Sequence, residues 1–517
     1  MNETFQTQAF EQLNGQADGR ERCEGKHCRH NGVVNERGEP EIAGGKRNDA
    51  QREKIHGARN EAPAMIKPAF IIAQKKRLRF HRSTSPSFLC GIKAPHRNSL
   101  AQMYGKYTQM CKRLQETEAE RRKSMKLGLF GGSFNPIHNG HIDMARRVKE
   151  QFALDGVLFM VAKEPPHKEL AGDVDAVSRL AMAQAALAGE NGLSASGLEL
   201  SRPGKSYTVD TVRTLLAENP GAEISLIVGE DMLRNLPAWR EAEPLLGLVR
   251  VIAVSRPGVE GSLADAAETL RIRFGARVAL ASFTGQDVSS TMVRAHVEQA
   301  LPIDVLVPLA VERQIYENAF YQNESVAQKQ EKLRASLNKK RYEHSIGTMR
   351  CAISLAARWD VNGAQARLAG LLHDCAKLPP ESLLALAAQH ALPVDEFERE
   401  VPGLLHDRLG AIIARDEYGV QDTDVLEAIR CHQLCRAHMT GLDKIVYLAD
   451  KIEPTRDYPG VDVLRSLAQE DLDHAVLACM DSVHAHLVRE GKRIKPEGEA
   501  ARVAFQKELM ERNRQKA

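Results

Sequence analysis

The 517-residue chain contains no apolar run approaching the roughly 18 residues a membrane-spanning helix requires. Its first thirty residues have no apolar centre of the secretory kind, so neither a membrane span nor export is expected and the cytoplasm is the default compartment. Tryptophan is scarce, with two residues, and all aromatics amount to 5%, so each tryptophan is a candidate for a specific role. Nine cysteines follow no regular framework, which in a chain this long fits reduced thiols rather than disulfides. Cys23, His27, Cys28 and His30 lack a second ligand pair at finger spacing, which argues against zinc there. The first glycine turn has no Gly-Lys-Ser/Thr ending and also lacks Gly-x-Gly-x-x-Gly. What is present, 43% hydrophobic and 27% charged residues, is the composition of a globular protein long enough for several domains.

The net charge of +3 hides a division. Residues 1–124 hold 24 Lys and Arg against 14 Asp and Glu, so the remaining chain is net negative. The basic part, with stretches such as Lys75-Lys76-Arg77-Leu78-Arg79, has no sustained apolar period. It reads as a solvated, disordered extension rather than a nucleic-acid-binding arm. A translation start at Met125 is the reading that fits better still. Met125 opens a strand, and Arg121-Arg122 written as AGG-AGG would spell a purine-rich ribosome-binding site just upstream.

From Met125 the order is strand (Lys126–Phe130), glycine turn, and helix through Phe152. The turn reads Gly131-Gly132-Ser133-Phe134-Asn135-Pro136-Ile137-His138-Asn139-Gly140-His141. A strand, a glycine turn and a helix start bring backbone N–H groups and the positive end of the helix toward phosphate. A single histidine here would read as a satisfied structural residue. His138 and His141, three apart at a helix start, share a face and can donate to the same phosphoryl oxygens.

This stretch resembles the signature of the His-x-Gly-His nucleotidyltransferases, and further matches follow in order. They are Pro165-Pro166-His167-Lys168 after a strand at Val157–Ala162, Ser206-Tyr207-Thr208-Val209-Asp210-Thr211, Val228-Gly229-Glu230-Asp231, Leu236-Pro237-Ala238-Trp239-Arg240, Ser255-Arg256-Pro257-Gly258 and Ser289-Ser290-Thr291-Met292-Val293-Arg294. Together, over about residues 125–320, they resemble the bacterial nicotinate-nucleotide adenylyltransferases. The resemblance implies a Rossmann-like sheet and transfer of AMP from ATP, with Mg²⁺, to nicotinate mononucleotide. It implies that His138, His141 and Arg294 act on the phosphates, with Gly131, Gly132, Ser133, Phe134, Gly229, Asp231, Ser289, Ser290 and Thr291 around ATP. Lys168, Thr208, Trp239 and Arg256 are the candidates around the pyridine mononucleotide, with core packing the competing role for Trp239. Glu230 departs from the pattern, where a small residue is expected.

Polar residues 321–335 lead into alanine- and leucine-rich sequence whose apolar positions recur every three or four residues, as at Ile346, Met349, Ile353 and Ala356. The absence of strand–helix alternation predicts an all-α bundle after a boundary at 324/325. His344, His373-Asp374 and Asp450 lie in apolar helical text, where a buried aspartate without a partner is costly. Two imidazoles and two carboxylates suit iron, manganese or a similar ion at a hydrolytic centre.

Arg341-Tyr342-Glu343-His344-Ser345, Leu371-Leu372-His373-Asp374, Leu404-Leu405-His406, Ala428-Ile429-Arg430-Cys431-His432 and Tyr447-Leu448-Ala449-Asp450 resemble the HD-type symmetrical bis(5′-nucleosyl)-tetraphosphatases over about 330–510. That resemblance implies hydrolysis of diadenosine tetraphosphate to two ADP. Iron is the expected metal on His344, His373, Asp374 and Asp450, and Lys377, His406, His432 and Arg456 contact phosphates or a second ion. Cys431 and Cys435 read as buried thiols rather than zinc ligands, and Arg489–Lys495 as a solvated helix end. The expectation is a bifunctional enzyme with no nucleic-acid or membrane partner, able to form a homo-oligomer. The alternatives are a nucleotide-sensing helical module without catalysis, or hydrolysis of other nucleotides.

Overall fold

The computed structural model describes residues 125–165, 172, 174–255 and 263–516. The extension 1–124 lies outside them, together with Lys168 and Arg256 and the expectations placed on them. Six strands form one parallel sheet: β1 Lys126–Gly132, β2 Gly156–Val161, β3 Leu193–Ser196, β4 Glu223–Gly229, β5 Arg250–Ser255 and β6 Arg277–Thr284. Their order is β3-β2-β1-β4-β5-β6. Helices cover both faces, which is why the central strands are almost continuously apolar. Successive residues of β1 serve opposite cores. Phe130 packs with Phe134, Phe159 and Ile227, and Leu129 with Met160, Leu226 and Val228. A Cβ on Gly128 would come within 3.0 Å of Ile227, Leu154 and Val157 side chains, so glycine is what lets these three fill the space beside β1.

After β6 the chain is helical to its end. The helices Ser290–Glu298 and Leu309–Glu317 complete the sheet-containing half. The stretch expected as a polar lead-in is itself a helix, Glu324–Ser336. Asn323 caps it by accepting the Val326 N–H at 3.0 Å, and Val326, Gln330 and Leu333 form one buried face. Gln330 was misleading in sequence because it is polar and buried: its amide donates to the Tyr316 carbonyl at 2.5 Å and to the Tyr342 hydroxyl at 2.8 Å.

The helices that follow, from Lys339–Arg358 to Pro496–Lys516, form the expected all-α bundle. One apolar core runs from Phe130 and Val297 through Ala300, Val311 and Ile315 into Met349 and Ile353. At this joint Arg350 grips Glu312 with two hydrogen bonds of 3.0 and 2.5 Å. Among the described residues no helix is long and apolar enough to cross a membrane.

The run Arg489–Lys495 is solvated only in part. Arg489–Arg493 is exposed, but Lys495 is buried, its Nζ 2.7 Å from Glu398 and 3.1 Å from Asp395. Glu398, also buried, takes a further bond of 2.9 Å from Arg408. Burial alone would raise the Glu398 carboxyl, but Lys495, the Asp395 N–H and Arg408 outweigh it and hold it below its ordinary value of 4.5. A group depressed in the folded state stabilises the fold above its unfolded pKa, and that contribution is lost as pH falls through the folded pKa. Circular-dichroism melts are therefore expected to show Tm declining below pH 4.5, the ordinary carboxylate value. In Glu398→Gln this acid dependence should flatten, with a loss of about 1–3 kcal/mol at neutral pH.

Candidate functional sites

The strand order reverses between β1 and β4, so the loops leaving these two strands diverge and a crevice opens at their carboxyl ends. Beyond β1, Phe134 takes a left-handed φ of 45° and sets its ring edge-on to Phe130 and His141, with centroids 5.7 and 5.0 Å apart. His138 is the N-cap of the helix Asn139–Gln151, and its N–H donates to His141 Nδ1 at 3.3 Å. The two imidazoles lie with centroids 3.6 Å apart, tilted by 30°. A Cβ on Gly140 would come within 3.2 Å of His138 Nδ1, so the glycine gives the His138 ring its room. Gly131 is open: a Cβ there would meet nothing within 4 Å.

The second candidate phosphate element is brought in by tertiary contacts. Ser289 caps the helix Ser290–Glu298, accepting the Met292 N–H at 3.1 Å. Ser290 Oγ donates to the Pro136 carbonyl at 2.8 Å, and Arg294 donates to the Asn135 carbonyl at 2.7 Å and to Thr291 Oγ1 at 3.2 Å. Ser289, Ser290, Thr291 and Arg294 thus join the turn that carries His138 and His141. Gly229 is the N-cap of the short helix Glu230–Asn235 at the end of β4, with Asp231 exposed. The anomalous Glu230 is buried and bound by Arg234 at 2.6 Å. Thr208 opens the helix Thr208–Glu218, and Trp239 is half-buried against the core on the β4 side.

Sequence reasoning missed two residues here. Arg179 is buried and donates to the carbonyls of Ser133 at 2.5 Å, Ala162 at 2.9 Å and Lys163 at 3.2 Å, tying the loops after β1 and β2 together. Its signal was a lone charge inside the apolar helix Ala176–Leu187. Tyr321 donates to Asn135 Oδ1 at 2.7 Å and has no local sequence signal.

In the bundle, six residues converge. His344 lies on Lys339–Arg358, His406 on Leu405–Asp416 and Asp450 on Gly441–Ile452, while His373 and His432 each end a helix and Asp374 follows at once. The Nδ1 atoms of His373, His406 and His432 face the carbonyls of Gly370, Gly403 and Ile429 at 2.8, 2.5 and 2.7 Å. A carbonyl can only accept, so each Nδ1 carries the proton and each Nε2 offers a lone pair to the centre. His344 Nε2 lies 3.0 Å from Asp450 and 3.2 Å from His373 Nε2, while His406 Nε2 lies 3.1 Å and His432 Nε2 3.6 Å from Asp374.

Behind His344 stands Glu453, also missed, buried and 3.0 Å from His344 Nδ1. A Cβ on Gly347 would clash with its carboxylate. Lys377 Nζ lies 3.3 Å from Asp374, and Arg456 and Lys451 lie 2.6 and 2.5 Å from Asp450.

Burial drives His373 down to about 3. Burial would also lower His344, but hydrogen bonds to Asp450 and Glu453 win and raise it. Burial would raise Asp450, but Lys451 and His344 hold it well below 3.8. Ionised aspartates faced by imidazole Nε2 atoms form a mixed nitrogen and oxygen donor set that could hold a cation. Two ligand groups, His344/His373/Asp374 and Asp374/His406/His432, share Asp374. From this floor a groove of 510 Å³ extends past Lys377, Lys451 and Arg456 to His486 and Arg489, a size that suits a nucleotide. Cys431 and Cys435 stay outside the ligand groups, and burial pushes both thiols up.

A cytidylyltransferase-like family model matches residues 129–296 and an HD-domain model residues 341–455. A "Probable nicotinate-nucleotide adenylyltransferase" of Synechococcus sp. (strain JA-3-3Ab) is 39% identical over 196 residues, 38% of this chain and 94% of the relative. One of Bacillus pumilus (strain SAFR-032) is 38% identical over 198 residues, 38% of this chain and 99% of the relative. Among solved structures, a "predicted HD superfamily hydrolase involved in NAD metabolism" from Clostridium acetobutylicum has 36% identity, covering 35% of this chain and 97% of its own, with a TM-score of 0.35. The molecule is therefore a parallel-sheet nucleotidyltransferase domain followed by a helical HD domain.

The donor set has a consequence that does not depend on turnover. Chelation is expected to lower the Tm of the wild-type protein, and to lower that of His373→Ala by less, since that variant lacks a donor of the His344/His373/Asp374 group. Glu453→Gln should weaken metal affinity by about 10–100-fold, measured by competition with a chelator.

Proposed function

The chain belongs to the nicotinate-nucleotide adenylyltransferase family, and from that premise we propose a cytoplasmic bifunctional enzyme with one activity in residues 125–324 and another in 325–517. The first transfers AMP from ATP to nicotinate mononucleotide, and the observation that carries it is the stacked His138–His141 pair beside Ser290 and Arg294. A phosphate oxygen of the mononucleotide attacks the α-phosphorus, the bond from that phosphorus to the bridging oxygen breaks, and pyrophosphate leaves, giving deamido-NAD. In-line displacement needs positioning and charge stabilisation rather than a protein nucleophile. His138 and His141 donate to the α-phosphoryl oxygens. Ser289, Ser290, Thr291 and Arg294 hold the β- and γ-phosphates, and Gly131, Gly132, Ser133 and Phe134 let the triphosphate approach the backbone. ATP enters with Mg²⁺. Gly229 and Asp231 face adenosine, and Lys168, Thr208, Trp239 and Arg256 hold the pyridine mononucleotide.

The HD half cleaves diadenosine tetraphosphate at its central bridge to give two ADP, supported by the Nε2 atoms turned onto Asp374 and Asp450 in a groove with a basic wall. Iron or manganese, held by His344, His373, Asp374 and Asp450, supplies Lewis acidity when bound. Lys377 and Arg456 neutralise the polyphosphate. His406 and His432 would contact a phosphate or, with Asp374, hold a second ion.

Chromatography of the products tests both halves in one chain. With ATP, Mg²⁺ and nicotinate mononucleotide the wild type should yield deamido-NAD, and His138→Ala should lose about 10²–10³ in kcat. With diadenosine tetraphosphate and iron or manganese, ADP should be the sole product, and His373→Ala should abolish that reaction while sparing the first. Absence of hydrolysis with every metal tried would make the HD half a nucleotide sensor, and turnover of other nucleotides alone would reassign its substrate.

A further inference from the structure

We infer that Arg367, in the HD half, is a positioning residue for the triphosphate of ATP in the nucleotidyltransferase half, acting through the helix Ser290–Glu298. The inference rests on the adenylyltransferase reading and adds a residue to it. Arg367 lies on the helix Gly363–Leu372 and is only 4% exposed. A buried guanidinium ordinarily meets a carboxylate, yet among the described residues no ion pair includes Arg367. Its Nη1 instead donates to the carbonyls of Val297 and Glu298 at 3.0 and 3.2 Å. These are the last carbonyls of the helix whose other end carries Ser289 and Ser290, with Arg294 one turn in.

The close approach is built into the backbone. A Cβ on Gly363 would run into the Ala300 carbonyl, so glycine at the start of the Arg367 helix is what allows the two helices to meet end to side. A helix dipole is stabilised by a cation at its C-terminus and by an anion at its N-terminus. Arg367 supplies the first, and the polyphosphate of ATP supplies the second. The same two bonds fix the far end of the helix, while Ser290 fixes the near end to Pro136 and Arg294 fixes the middle to Asn135. The bundle thus sets the pose of a phosphate-binding element that it does not itself contain.

The test uses the full chain and Mg·ATP as the probe. Calorimetric Kd and steady-state KM for ATP are expected to rise about fivefold in Arg367→Met, with KM for nicotinate mononucleotide unchanged and Arg367→Lys recovering most of the loss. A residue that only packs would lower Tm and kcat without singling out ATP. That pattern, an unchanged ATP Kd in a folded Arg367→Met, or equal losses in the Lys and Met variants, overturns the inference. Should Arg367→Met fail to fold, Arg367→Gln is judged by the same Kd. Because Kd needs no turnover, ATP binding that weakens in Arg367→Met while the wild type transfers no AMP would sink the adenylyltransferase reading and leave Arg367 in its role.

Discussion

Parallel pairing of β1 with β4 is the constraint from which the first site follows. It places two strand ends side by side with their chains leaving in opposite directions, and the crevice between them must be lined by loop backbone. Helix starts gathered at such an opening bring their positive dipole ends to where a phosphate could sit. The glycines, the stacked imidazoles and the incoming helix Ser290–Glu298 all elaborate that opening. Arg179 and Tyr321 close its underside by holding Ser133 and Asn135.

The bundle solves a different problem. Two carboxylates sit in an apolar interior, where their charge is tolerable only with compensating partners. Lys451, Arg456 and Lys377 provide part of that compensation and the imidazoles arrange themselves for the rest. Three of the imidazoles commit Nδ1 to the preceding helical turn, so the direction of each Nε2 is set by helix geometry rather than by the ion. Asp450 and Glu453 together favour a proton on His344, and a cation held in the centre would compete with that proton.

The two halves share a core and a charged joint. In the proposed reading both handle adenine nucleotides, and the HD half would clear dinucleoside polyphosphates arising beside deamido-NAD synthesis. Contacts through Arg350 and Arg367 make the bundle a neighbour of the adenylyl site in a physical sense, since each buries a positive charge against a group from the other half.

Fold class could be read from residue order, and so could the short spacings at the heart of both candidate sites. His138 with His141, and His373 with Asp374, are set by local spacing, because residues three apart at a helix start share a face and adjacent residues at a helix end share a turn. The helix Glu324–Ser336 was obscured by its polar composition, since Gln330 is buried through partners that lie on other elements. Lys495 was misread for the same reason, its two carboxylates lying about a hundred positions earlier in the chain.

By itself, then, the sequence determined the chemistry available and the succession of a parallel-sheet unit and a helical one, because periodicity and short spacings are properties of the local chain. Only the tertiary structure decided that Arg294 reaches Asn135, 159 positions away, that Glu453 stands behind His344, and that Arg367 ends a helix of the other half. Those pairings depend on which faces pack together, and a buried polar group finds its partner only when the surrounding apolar surfaces have already chosen their neighbours.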